Sequence, residues 1–169
     1  AGGCAVFDVQ SGKLKNTFRI PGAKQDETRE WGYVGSVDDV LLGSITKAGA
    51  TFRIQDVPTQ DLIWRDECPV VTSDSLFAAD RRTGKTLWTF QPAEGVVINP
   101  TIAAADGRVY CIHSKNPKTH QVADGRITLD TLLDDGAVLV ALDIRSGKVL
   151  WKKTVDLSRL EHIVFLSHA

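Results

Sequence analysis

Apolar positions in this chain fall in short runs separated by turn-forming clusters, and the three- and four-residue spacing of an amphipathic helix is almost absent. Leu76 and Phe77 lead into Asp80-Arg81-Arg82-Thr83-Gly84-Lys85, after which Leu87-Trp88 restores the apolar pattern: strand, tight turn, strand. The same order returns with Leu139, Val140 and Leu142, then Asp143 to Lys148, then Val149-Leu150-Trp151. A worn third copy, AVFDVQSGKLKNTFR, occupies residues 5–19.

Aligned on Asp8, Asp80 and Asp143, the copies share D-x-x-[ST]-G-K, and each letter has a local reason. The Asp carboxylate accepts hydrogen bonds from backbone N–H groups further round a turn, Ser or Thr does so more weakly, and Gly takes positive φ. The pattern predicts a β-hairpin turn. A Trp follows eight residues after the Asp at positions 88 and 151, whereas the first copy has Asn16 there.

Ahead of the second hairpin, WGYVGSVDDVLLGSI (31–45) predicts two strands joined at Val37-Asp38-Asp39. Ahead of the third, VVINPTIAAADGRVYCIHS (96–114) predicts two more, joined at Asp106-Gly107. Each unit therefore holds two hairpins, separated by polar insertions at 46–74 and 115–136. In the second insertion Thr128 is placed to cap a short helix through Leu129, Leu132 and Leu133 that stops before Gly136.

Self-similarity at intervals of 72 and 63 residues, built from hairpins, points to radial repetition: an all-β, partial β-propeller of four-stranded antiparallel blades. The expected layout is one domain over 1–169, with a half blade at 4–20, complete blades at 31–90 and 97–155, and the first strand of a further blade at 161–168. Such a set cannot close a ring. An open stack leaves unpaired strand edges, so the expectation is a fragment of a longer propeller.

Charge and cysteine usage narrow the function. The 169 residues carry 20 Lys+Arg against 21 Asp+Glu, which leaves no electrostatic footprint for nucleic acid. No apolar run approaches the ~20 residues of a membrane helix. Cys4, Cys68 and Cys111 lie far apart without a C-x-x-C pair and are expected to be buried thiols. Cys111 and His113 share a strand face, with His120 a few residues on; the expected arrangement is a half-buried thiol beside a surface-leaning imidazole, not a metal site. Neither Ser114 beside His113 nor Ser167 beside His168 sits in a nucleophile elbow.

Ala78-x-Asp80-x-x-Thr83-Gly84-x-x-x-Trp88 and Ala141-x-Asp143-x-x-Ser146-Gly147-x-x-x-Trp151 resemble the tryptophan-docking motif of pyrroloquinoline-quinone-type (quinoprotein-like) β-propellers. The first copy departs from it at Val6 and Asn16. The resemblance implies that each Trp packs its indole against a motif Ala and a turn peptide of the neighbouring blade, so that Trp88 and Trp151 join blades. Asn16 implies that the first seam lacks this contact or uses another.

The family contains both enzymes and non-enzymatic scaffolds. Its dehydrogenases bind pyrroloquinoline quinone with calcium, using adjacent cysteines, a Trp floor, carboxylate and amide calcium ligands, and an Asp base. Here no two cysteines are adjacent, and the acidic turns at 37–39 and 130–136 lack the alternating oxygen spacing of a calcium loop. The leading reading is a non-catalytic binding or scaffold module of the cell envelope, periplasmic by family analogy. Its partner would be a protein or small-molecule ligand held by the propeller loops. The best candidates for that surface are Trp64, Arg65 and His120, on the two insertions. The rivals are the propeller portion of a quinoprotein dehydrogenase and a ligand-sensing domain of a larger protein.

Overall fold

The computed structural model describes residues 3–22, 29–51, 69–160 and 164–167. The expected site residues Trp64 and Arg65, together with Cys68, His162 and His168, lie outside them. The fold is all-β, a partial propeller built from antiparallel sheets.

Strands β1 (Cys4–Phe7) and β2 (Leu14–Phe18) form a two-stranded half blade. The first complete blade is a four-stranded sheet in the order β3 (Arg29–Val37), β4 (Val40–Lys47), β6 (Ser75–Asp80), β7 (Thr86–Phe90). In the second blade, β8 (Val97–Ile98) and β9 (Ala103–Ala105) pair in succession with β10 (Arg108–Ser114). β10 then pairs with β12 (Ala137–Asp143), and β12 with β13 (Val149–Val155). Between β8 and β9 the chain makes a 3₁₀ turn at Asn99–Thr101. The Thr101 hydroxyl accepts from Ile112 N at 2.8 Å and donates to Ile98 O at 2.7 Å, bridging the gap that this turn leaves in the ladder.

The hairpin at Asp106-Gly107 joins Ala105 to Arg108 with positive φ at both central residues (50° and 72°), which matches the twist of the flanking strands. The insertions are not plain loops. β5 (Val70–Ser73) and β11 (Arg126–Ile127) pair with each other, and β5 pairs with β8, so the two insertions extend the second sheet. Helix α1 (Leu129–Leu133) forms where expected. Thr128 holds the N-cap position, but its hydroxyl donates to Thr131 Oγ1 at 3.1 Å, so it makes no side-chain cap bond. Residues 164–167 belong to no strand.

Burial follows the two-residue period of a strand with a sheet on each side. From β4 and β6, Leu41, Ile45, Phe77 and Ala79 point towards the half blade and meet Phe18 and Ile20. Their neighbours Val40, Leu42, Leu76 and Ala78 point the other way, meeting Val109, Cys111, Val140 and Leu142 of the second blade. The far side of the second blade packs Ile112 and Ala137 under Leu129, Leu132 and Val164. The core is thus a stack of apolar layers between sheets.

Candidate functional site

The three D-x-x-[ST]-G-K turns share one hydrogen-bond pattern. In the second, Asp80 Oδ1 accepts from Arg82 N (3.0 Å), Thr83 N (2.7 Å) and Thr83 Oγ1 (2.8 Å). Asp8 and Asp143 take the equivalent three bonds, from Gln10 and Ser11 and from Arg145 and Ser146. Gly12, Gly84 and Gly147 sit at φ of 67°, 72° and 68°. Hydrogen bonds favour the carboxylate form, so Lys15, 2.6 Å from Oδ2, together with Ser11 holds the Asp8 carboxyl down at about 2. Bonds from Thr83 and from Ser146 lower Asp80 and Asp143 in the same way.

The second and third of these turns receive aromatic side chains from the preceding unit. The Trp88 indole, only 8% exposed, lies against Gly147 and donates its Nε1–H to Ile144 O at 2.9 Å. A Cβ on Gly147 would stand 2.6 Å from the indole Cγ and Cδ2. Trp88 also faces Ala78 across the β6–β7 ladder. At the earlier seam the corresponding position is Asn16, which is exposed, and Phe18 supplies the contact instead: a Cβ on Gly84 would stand 2.4 Å from its Cδ1. Residues 16 and 18 are two apart on one strand and therefore share a face. Across the second seam Arg145 grips Asp39 with both nitrogens, at 2.7 and 2.6 Å, which lowers the Asp39 carboxyl and raises the Arg145 guanidinium.

Trp151 stands apart from this arrangement. It faces Ala141 across the β12–β13 ladder as Trp88 faces Ala78, but it is 43% exposed and tilts against Tyr110 with ring centroids 6.0 Å apart. Together with Leu139 and Leu166 it lines a groove of about 250 Å³ on the outer face of the second blade.

The remaining candidates are placed as follows. His120 lies in the 3₁₀ turn Pro117–Gln121, with Nδ1 3.8 Å from Asp74 Oδ1. Its carbonyl, with that of Val122, accepts from Lys47 Nζ, and Arg126 Nε donates to Ala50 O at 2.7 Å. These bonds fasten the second insertion to the first blade. The expected half-buried Cys111 and surface-leaning His113 are instead both buried, because the first blade packs over one face of β10 and helix α1 with Val164 over the other. Burial pushes the Cys111 thiol up to about 12, and it lowers the His113 imidazole, whose Nδ1 lies 2.9 Å from Ser114 O.

Sequence reasoning missed a buried polar cluster. Ser73 Oγ donates to Ser44 Oγ at 2.8 Å, and Ser44 Oγ donates to Asn99 Oδ1 at 3.2 Å. Gly32 leaves room for it, since a Cβ there would meet all three side chains within 2.9 Å. Ser and Asn in apolar runs were the only available signal.

The described residues do not assemble the donor set of a quinone and calcium site. Among them no three His, Cys, Asp or Glu side chains come together as a metal-binding group. The turn aspartates already accept three hydrogen bonds each, and neither Cys4 nor Cys111 is in a disulfide.

Stacked four-stranded sheets, each receiving an aromatic side chain on a repeated Asp-to-Gly turn, define a β-propeller repeat module. A model of the PQQ-type repeat family, described as outer membrane protein assembly factor BamB, matches residues 62–167, and the chain belongs to that family. No curated protein matches the chain. Among the described residues no helix is long and apolar enough to cross a membrane.

Proposed function

We propose that the chain is a non-catalytic binding or scaffold module of the bacterial cell envelope, acting on a protein partner in the periplasm. The observation that carries this reading is the match to a family described as an outer membrane protein assembly factor. Two features of the molecule support it. The repeated polar residues Asp80, Thr83, Asp143 and Ser146 spend their hydrogen bonds within their own turns. Cys111 and His113, the closest thiol–imidazole pair in the sequence, are buried, and there the thiol stays protonated at neutral pH. The loops that would meet a partner are the two insertions, carrying Trp64, Arg65 and His120. Ala78 and Trp88 act as blade-joining groups, not ligand contacts, and Ala141 and Trp151 repeat their pairing within the second blade.

The test is functional replacement. Expressed with an export signal in a bacterium lacking its own outer membrane protein assembly factor, the full coding sequence should restore outer-membrane porin levels. Titration of the purified protein with pyrroloquinoline quinone and calcium should give no saturable absorption band. A saturable band with unrestored porin would favour the dehydrogenase reading.

A further inference from the structure

We propose that His113 is an acid-sensitive latch that holds residues 91–96, the connection between the two complete blades, against β10. The proposal is independent of the envelope reading. Its basis is the close fit of that connection over one buried imidazole.

The connection leaves β7 at Phe90 and enters β8 at Val97. Gly95 takes φ of 59° so close to β10 that a Cβ there would overlap Ser114 O. Ser114 N donates to Val96 O at 3.0 Å, and Val97 pairs with His113. His113 is 5% exposed, and its Nδ1 lies 2.9 Å from Ser114 O, the carbonyl on which Gly95 rests. Ring and connection thus share one carbonyl. Val97 also pairs with Ser73 of β5, so His113, Val97 and Ser73 lie side by side on three neighbouring strands. Loosening at the ring therefore reaches the first insertion.

The charged groups that act on the ring are Lys152 on β13 and Glu94 on the connection itself. β8 and β12 set Val97 and Val138 beside it, and on β10 the Cys111 thiol stays protonated. Burial acts most strongly and lowers the imidazole, and Lys152 adds to this; the Ser114 and Glu94 carbonyls and the Glu94 carboxylate oppose it. Acid therefore brings a charge into a site closed to water, and the ring regains its hydration when the connection lifts off β10. Because the folded ring is lowered, the latch is fully closed above the ordinary imidazole value of about 6.5 and weakens as pH falls from there through the folded value.

Hydrogen exchange at the Ser114 amide, bonded to Val96 O, reads the latch in a ¹H–¹⁵N spectrum of the full chain. Between about pH 7.5 and pH 5.5 its protection factor should fall by up to about tenfold, the limit for one imidazole that takes up its proton only when uncovered. The turn carboxyls are held below that window and leave it clear. The Ser114 amide should also be less protected than the Trp88 indole N–H, because the latch opens without unfolding the blades. His113→Gln keeps a donor for Ser114 O but takes up no proton, and should remove the pH dependence while leaving circular dichroism unchanged. In the wild-type chain, which needs no variant to fold, the His113 ring signal should titrate below its ordinary value. A Ser114 protection factor that is constant across this range, one equal to that of Trp88, or a ring that titrates at the ordinary value would overturn the proposal. So would a pH dependence that survives His113→Gln.

Discussion

Gly147 carries the ring of Trp88: the indole lies flat enough on the turn that no side chain fits between them. This contact, with the bond from Nε1 to Ile144 O, fixes how the two complete blades meet. Its two partners make separate predictions. Trp88→Ala opens a cavity in a buried layer and should lower stability by about 3–5 kcal/mol in denaturant unfolding. Gly147→Ala forces an alanine to positive φ and a methyl into the indole, and should cost more than about 1 kcal/mol.

Trp151, equivalent in sequence to Trp88, should behave differently. Trp151→Ala removes a half-exposed ring and should change the stability of the monomer by less than about 1 kcal/mol. Thermal unfolding checks this. A loss as large as that of Trp88→Ala would mean that both rings are buried alike.

At the first seam the contact belongs to Phe18. Phe18→Ala should cost about 3 kcal/mol, whereas Asn16→Ala, at the motif's own position, should stay within about 0.5 kcal/mol. Paired denaturant curves distinguish the two.

The turn aspartates make stability depend on acid. Their carboxyls are held below the ordinary range in the folded chain, so they stabilise it fully above the unfolded value, and that contribution disappears as pH falls through the folded one. The denaturant midpoint should therefore fall between about pH 4 and pH 2, Asp8 being the last to protonate. Asp80→Asn keeps an acceptor oxygen but no charge. It should flatten this slope while leaving the fold at neutral pH intact.

Cysteine accessibility gives a further check. Cys111 is fully buried with its thiol pushed up to about 12, while Cys4 is partly exposed. Brief alkylation of the native protein followed by peptide mass spectrometry should label Cys4 and leave Cys111 unmodified until denaturant is added.

The turns were legible in the sequence because their chemistry is local: Asp8, Asp80 and Asp143 find their partners within three residues. Asp106-Gly107 declared its hairpin for the same reason. The seams were only half legible. The motif points to position 16, and the ring that does the packing is at 18, which strand alternation makes equivalent but a fixed spacing overlooks. Arg145 and Asp39 are 106 residues apart, and nothing in either turn announces the other. The burial of His113 follows from the packing of the first blade on one face of β10 and of helix α1 with Val164 on the other, a fact of assembly that no single strand encodes. The insertions read as loops because β5 and β11 are short and find their partners in each other and in β8.

The seam itself is tested most directly by hydrogen exchange at the indole nitrogens, read in a ¹H–¹⁵N NMR spectrum with signals assigned by single Trp→Phe substitutions. Trp88 Nε1–H, buried and bonded to Ile144 O, should be protected and exchange only with unfolding, while Trp151 Nε1–H should exchange freely. A Trp88 signal that exchanges as fast as that of Trp151 would contradict the stacked-blade account.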